Sequence, residues 1–162
     1  MLRKAIVLHN IGDFNTFCHV PGKDMVVAPT TCQRNKLLIA FSDVENVKPI
    51  LERKAFMFFS GTLHGTGWQA RIKMVNGLNL FPKMKDDILM AKFYQSTDYM
   101  TTLNNTRFGA LIRGTTGYAY RIIDTIYSGC IPVFITTYTH YHYMELLDYS
   151  KFSVLVQESE MD

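Results

Sequence analysis

An α/β domain, with a parallel sheet and helices packed on both of its faces, is the fold class that this 162-residue sequence predicts, and three observations predict it. Short continuous apolar runs recur along the chain (AFMFFS, RFGALI, CIPVFI), stretches of helical length separate them, and a glycine-bearing turn follows two of them. A strand with no polar alternation is buried on both faces. Parallel neighbours need a crossover, and right-handed crossovers cover both faces of the sheet. In such sheets ligands sit beyond the carboxyl ends of the strands, which places the candidate site at the turns spanning 61–67 and 113–117.

Taken in order, Ala5 to Leu8 and Met25 to Ala28 read as short strands, the second closed by Pro29 and followed by the polar stretch Thr30 to Asn35. The longest unpatterned region is roughly residues 29 to 50. AFMFFSG is a buried strand ending at Gly61, TLHGTG is a glycine-rich turn, and a helical stretch runs from Trp68 to about Leu78. Asp87 to Tyr94 is a strand candidate, Thr97 to Asn104 a short helix and Arg107 to Ile112 a further strand. The pattern then repeats: RGTTG is a turn, Tyr118 to Ser128 a helix, Gly129 sits where a left-handed cap belongs, and CIPVFI is a buried strand. A short helix around Tyr143 to Leu147 and a last strand, FSVLV, complete the order.

With 48% hydrophobic and 13% aromatic residues the chain can enclose one sizeable core and is too apolar for a disordered segment. A formal charge of +3, without a block of like charge, argues against a nucleic-acid partner. The amino terminus has two basic residues but only the short apolar run AIVL before His9, so it reads as neither signal peptide nor membrane anchor. Cys18, Cys32 and Cys130 show no C-x-x-C spacing, which disfavours a zinc or dithiol site, and Cys130 reads as a packed thiol. The sequon Asn104-Asn105-Thr106 matters only in a secretory compartment. Dinucleotide, P-loop, nucleophile-elbow and zincin motifs are all absent.

Two turns share a grammar that periodicity does not demand. Gly67-Trp68-Gln69-Ala70-Arg71 and Gly117-Tyr118-Ala119-Tyr120-Arg121 both read glycine, aromatic, two residues, arginine. Each puts an arginine in the first turn of a helix, where the dipole already favours an anion rather than a cation. One reading is that backbone N–H groups, dipole and guanidinium converge on a polyanion such as a diphosphate. The other is that each arginine is solvated surface and each glycine a plain turn residue. Asp124, three residues after Arg121, either pairs with it or accepts hydrogen bonds from sugar hydroxyls, and spacing favours the ion pair. His140 and His142 stand two apart with Glu145 nearby but no third ligand at sensible spacing, so a loop or lid over the cleft is preferred to a metal site.

The run RIIDTIYSGCIPV (121–133), with RFGALIRG before it and LLDYSKFSVLV after it, resembles the carboxyl-terminal domain of exostosin-type (family 47) glycosyltransferases, the Gly-Cys-Ile-Pro-Val segment most specifically. AFMFFSG with Arg71 resembles the family's strand, glycine and arginine, and HVPGKDMVVAPT resembles its lead-in segment, so the similarity covers most of the chain. The resemblance implies the second, Rossmann-like domain of a two-domain GT-B enzyme that binds a nucleotide-sugar, a UDP-sugar by analogy, and transfers the sugar with inversion to a glycan acceptor. It implies the Golgi lumen, and polysaccharides such as heparan sulfate in animals or xyloglucan, pectin and xylan in plants. By that analogy Gly61, Arg71, Gly114 and Arg121 line the diphosphate site, and Asp124 stands where the family usually has a glutamate bound to the ribose. Gly109 stands where the family usually has cysteine, and Ile112 where it often has proline.

The resulting expectation divides the chain into a lead-in segment, 1–50, from a missing or truncated first domain, and a donor-binding domain, 51–162, truncated at its carboxyl end. An acceptor domain needs on the order of 100 residues, and fewer than 60 precede Ala55. No metal or other cofactor is called for, and no catalytic base is assignable. The alternative function is a degenerate, non-catalytic module that stabilises or recruits a related transferase.

Overall fold

The computed structural model describes residues 8–9, 12–13, 25–26, 47–61, 68–80, 88–91, 96–113, 121–136, 139–141, 143–144 and 146–161. Three short strands come first: β1 (Leu8–His9), β2 (Gly12–Asp13) and β3 (Met25–Val26). The main body follows as β4 (Ala55–Ser60), α1 (Trp68–Leu80), β5 (Ile88–Ala91), α2 (Ser96–Asn104), β6 (Thr106–Ile112), α3 (Arg121–Tyr127), β7 (Ile131–Ile135), β8 (Thr139–His140) and β9 (Val154–Val156).

Five of these strands form one sheet in the order β5-β4-β6-β7-β9, and every neighbouring pair is parallel. The chain winds from β4 outward to β5, then returns past β4 to β6 and continues to β9. With right-handed crossovers, that reversal must put the first helix on one face and the next two on the other. The packing follows this rule. Met57, Phe59, Ala110, Ile112, Val133 and Ile135 pack with Ala70 and Met74 of α1. On the opposite face Phe58 packs with Tyr99 and Leu103 of α2, while Leu111 and Phe134 pack with Ile122 of α3 and with Tyr141 and Tyr149. Phe58 and Phe59, adjacent in sequence, are both essentially buried, as a strand covered on both sides requires. The predicted α/β class and the helices on both faces are therefore present.

Several predicted segments change on inspection. The described strands near the amino terminus are Leu8–His9, Gly12–Asp13 and Met25–Val26, of which the first and third pair in parallel with each other rather than with the main sheet. β5 is described at Ile88–Ala91, within the expected Asp87 to Tyr94, whose remaining residues lie outside the described residues, as do residues 118–120 at the expected start of α3. The expected helix at Tyr143 to Leu147 is instead a turn, in which Tyr143 has φ 54° and its carbonyl accepts from the N–H groups of Leu146 (2.8 Å) and Leu147 (2.7 Å). Leu146 is 73% and Leu147 44% exposed, so no packing sustains a helix there. β8, just before this turn, pairs antiparallel with β2 and ties the amino-terminal segment to the segment that follows β7.

The amino-terminal edge of the sheet is organised by a residue that the sequence gives no reason to single out. Arg53 is 1% exposed. Its Nε donates to Lys48 O (2.9 Å), its Nη1 to Thr106 O (2.8 Å), and Arg107 Nε donates to Arg53 O (3.0 Å). Gly129 has φ 66°, the left-handed cap the sequence predicts, and a Cβ there would fall 2.7 Å from Arg53 Nη2. The Cys130 thiol sits 3.1 Å from Leu103 O and 3.2 Å from Thr106 O and accepts from Arg53 Nη1 at 3.5 Å.

Burial pushes the Cys130 thiol up from its ordinary 9.0 to about 11, although Arg53 pulls the other way. The folded chain therefore keeps a proton that the unfolded chain loses, and Cys130 subtracts stability as pH rises from 9.0 towards about 11. Its thiolate, the reactive form, is scarce at neutral pH. Iodoacetamide at pH 8 is expected to leave Cys130 unmodified in the folded chain and to label it fully in guanidinium, with peptide mass mapping as the readout.

Candidate functional site

The strand order reverses between β4 and β6, two strands whose following helices lie on opposite faces, and in open α/β sheets ligands bind beyond the carboxyl ends of strands at such a point. At that point β4 ends at Ser60-Gly61 and β6 ends at Ile112-Arg113. Arg71 lies in the first turn of α1 and Arg121 at the start of α3 as described, so arginines from helices on the two faces reach the same sheet edge.

Both guanidiniums stack on one ring. Arg71 Cζ is 5.5 Å and Arg121 Cζ 5.3 Å from the centroid of Phe59, the penultimate residue of β4. Each distance lies within the range of a cation–π contact. Arg71 is 4% exposed, and its Nη2 lies 3.5 Å from Ile112 O at the end of β6. Burial, and secondarily the Arg121 guanidinium, hold Arg71 below the usual arginine range. Two like charges thus meet at one ring, the Arg71 guanidinium in a largely dry position.

Gly61 makes this arrangement possible. A Cβ at position 61 would fall 3.0 Å from Phe59 Cζ and 3.2 and 3.4 Å from Arg121 Nη1 and Nη2. A side chain there would push against both the ring and the cation that rests on it. Gly61, Arg71 and Arg121 of the predicted set are thus brought together. Asp124, on the next turn of α3, is fully buried, and its carbonyl accepts from Ser128 Oγ (2.8 Å) and Ser128 N (3.0 Å). Gly114 lies outside the described residues.

Arg113, at the end of β6, forms an ion pair with Glu158 after β9, Nε to Oε1 2.8 Å. His142 and Glu145 lie outside the described residues, and His140 belongs to β8. Among the described residues no group of three His, Cys, Asp or Glu side chains is placed to hold a metal ion. No described helix is long and apolar enough to cross a membrane. A groove of about 590 Å³ runs past Ile126, Cys130, Pro132 and Phe152 at the amino-terminal edge. It lies at the opposite edge of the sheet from the paired arginines, and no set of charged groups converges on it.

Sequence reasoning missed Phe59, which it read only as part of an apolar strand, and Glu158. The signal for Phe59 was present: strand alternation puts residue 59 on the face that α1 covers, and it is one residue from the ligand-facing end. No comparable signal exists for Glu158, because its partner is brought to it by the pairing of distant strands.

The family model described as the exostosin GT47 domain matches residues 3–162. Two curated relatives, both from Arabidopsis thaliana and both carrying the name "Probable glycosyltransferase", are similar to this chain. One is 29% identical over 111 residues, 68% of this chain and 23% of its own length. The other is 27% identical over 110 residues, 67% of this chain and 20% of its own length. The chain thus spans about a fifth of the length of the curated relatives it matches. With a parallel sheet, arginines from two helices meeting at its switch point and a family match over nearly its whole length, the chain belongs to the exostosin GT47 family.

Proposed function

We propose that this chain is the donor-binding part of an inverting glycosyltransferase, holding the diphosphate of a UDP-sugar between Arg71 and Arg121 above Phe59. The observation that carries this reading is the convergence of two guanidiniums from different helices on one ring at the sheet's switch point. The family match and the relatives' names support the transferase class.

In the reaction, an acceptor hydroxyl attacks the anomeric carbon from the side opposite the diphosphate. The carbon–oxygen bond to phosphate breaks, its electron pair leaves on the diphosphate, and the hydroxyl proton passes to a base outside the described site. Negative charge grows on the departing diphosphate, where prepositioned cations in a water-poor site stabilise the transition state more than the ground state. Asp124 takes the nucleoside side of the site, one helical turn beyond Arg121.

Residues 51–162 form the donor domain in this reading and 1–50 the lead-in from an acceptor-binding partner domain. Family membership supports a Golgi lumenal setting, a polysaccharide or other glycan acceptor and association with a related transferase.

Isothermal titration with UDP tests the central claim. Arg71→Ala and Arg121→Ala are each expected to weaken binding by about tenfold or more, the range for one charged hydrogen-bonding group. Binding indifferent to both substitutions would sink the reading.

A further inference from the structure

We propose that Phe59 is a positioning residue for the donor site: its ring face holds the Arg71 and Arg121 guanidiniums side by side before any anion arrives. The inference rests on the donor-site reading above and adds to it the element that prepares the site.

Two cations of like charge repel, and burial compounds the cost at Arg71, whose proton affinity is already lowered by burial and by Arg121. The Phe59 ring face offsets part of that repulsion. The Phe59 ring is 1% exposed and packed against α1, so it cannot turn away to follow either arginine. Its two contacts are nearly equal, 5.5 and 5.3 Å. Gly61 completes the arrangement, since a Cβ there would meet the Phe59 ring and the Arg121 guanidinium together.

An aromatic face attracts cations through its quadrupole, which an aliphatic side chain of similar size lacks. Without that attraction the guanidiniums are held less closely over the ring, and an incoming diphosphate must order them at a cost in affinity. The ring therefore contributes to affinity by preorganisation rather than by touching the ligand.

Fluorination separates this role from plain packing, because it drains the ring's negative face while keeping its shape and apolar burial. The full 162-residue chain is prepared with phenylalanine, 4-fluoro-, 3,5-difluoro- and 3,4,5-trifluorophenylalanine at position 59. UDP and inorganic pyrophosphate are titrated against each, and urea denaturation midpoints are recorded. Affinity for both ligands is expected to fall stepwise, by about tenfold at the trifluoro variant, with the denaturation midpoint unchanged. Phe59→Leu is expected to show at least the same loss of affinity, and its result is read only alongside the fluorinated series, since it also alters packing. Flat affinity across the fluorinated series, with Arg71→Ala and Arg121→Ala still weakening binding, overturns the role of Phe59 and leaves the donor site standing. Affinity indifferent to the arginine substitutions as well overturns both.

Discussion

Arg53→Ala is expected to destabilise the chain by about 3 kcal/mol or more, enough to unfold much of the population of a marginally stable domain. The guanidinium is buried and bridges the segment before β4 to the first residue of β6, donating to Lys48 O and Thr106 O. Truncation removes the donors from both carbonyls and leaves a cavity against Val47 and Gly129, whose space the guanidinium now fills. Urea denaturation followed by circular dichroism measures the loss. Arg53→Lys is expected to recover only part of it, because an ammonium lacks the planar fork that reaches both carbonyls at once. An unchanged midpoint in Arg53→Ala would show that this edge is held by the strands alone.

The second large effect lies at Gly109, in the middle of the central strand. A Cβ added there would collide with Thr125 Cγ2 of α3 and fall 2.9 Å from Thr125 Oγ1 and 3.3 Å from Cβ. Both residues are buried and both belong to packed elements, so neither can move aside cheaply. Gly109→Ala is expected to cost about 2 kcal/mol through overpacking. Thr125→Ala alone is expected to cost about 1 kcal/mol for the lost methyl and hydroxyl. The double variant is expected to be more stable than the sum predicts, by about 1 kcal/mol or more, because alanine at 125 clears the clashing methyl. Strict additivity in that cycle would disprove the steric account. The same contact explains how this chain carries glycine where the family resemblance places cysteine: Thr125 occupies the space a side chain at 109 would take.

Much of the proposed donor site could be read in the sequence because its parts are local. A buried strand ending in glycine, a turn and an arginine early in the next helix are neighbours along the chain, so spacing alone exposes them. Arg71 and Arg121 were recognisable in this way, and they do meet at one ring. The pairing of Arg113 with Glu158 and the hub at Arg53 were not, since each joins residues more than 40 positions apart. The helix expected around Tyr143 to Leu147 failed for a different reason: a short helix needs something to cover its apolar side chains, and here Leu146 and Leu147 face solvent.

What the sequence by itself determined is the α/β class, the order of the principal strands and helices, and the two arginines at the carboxyl edge, because apolar runs, glycine caps and turn chemistry act over a few residues. Only the tertiary structure decided which strands are neighbours, where the winding reverses, and that Phe59 serves both arginines. Those outcomes depend on contacts between segments far apart in the chain, chosen by burial and steric fit after the local elements have formed.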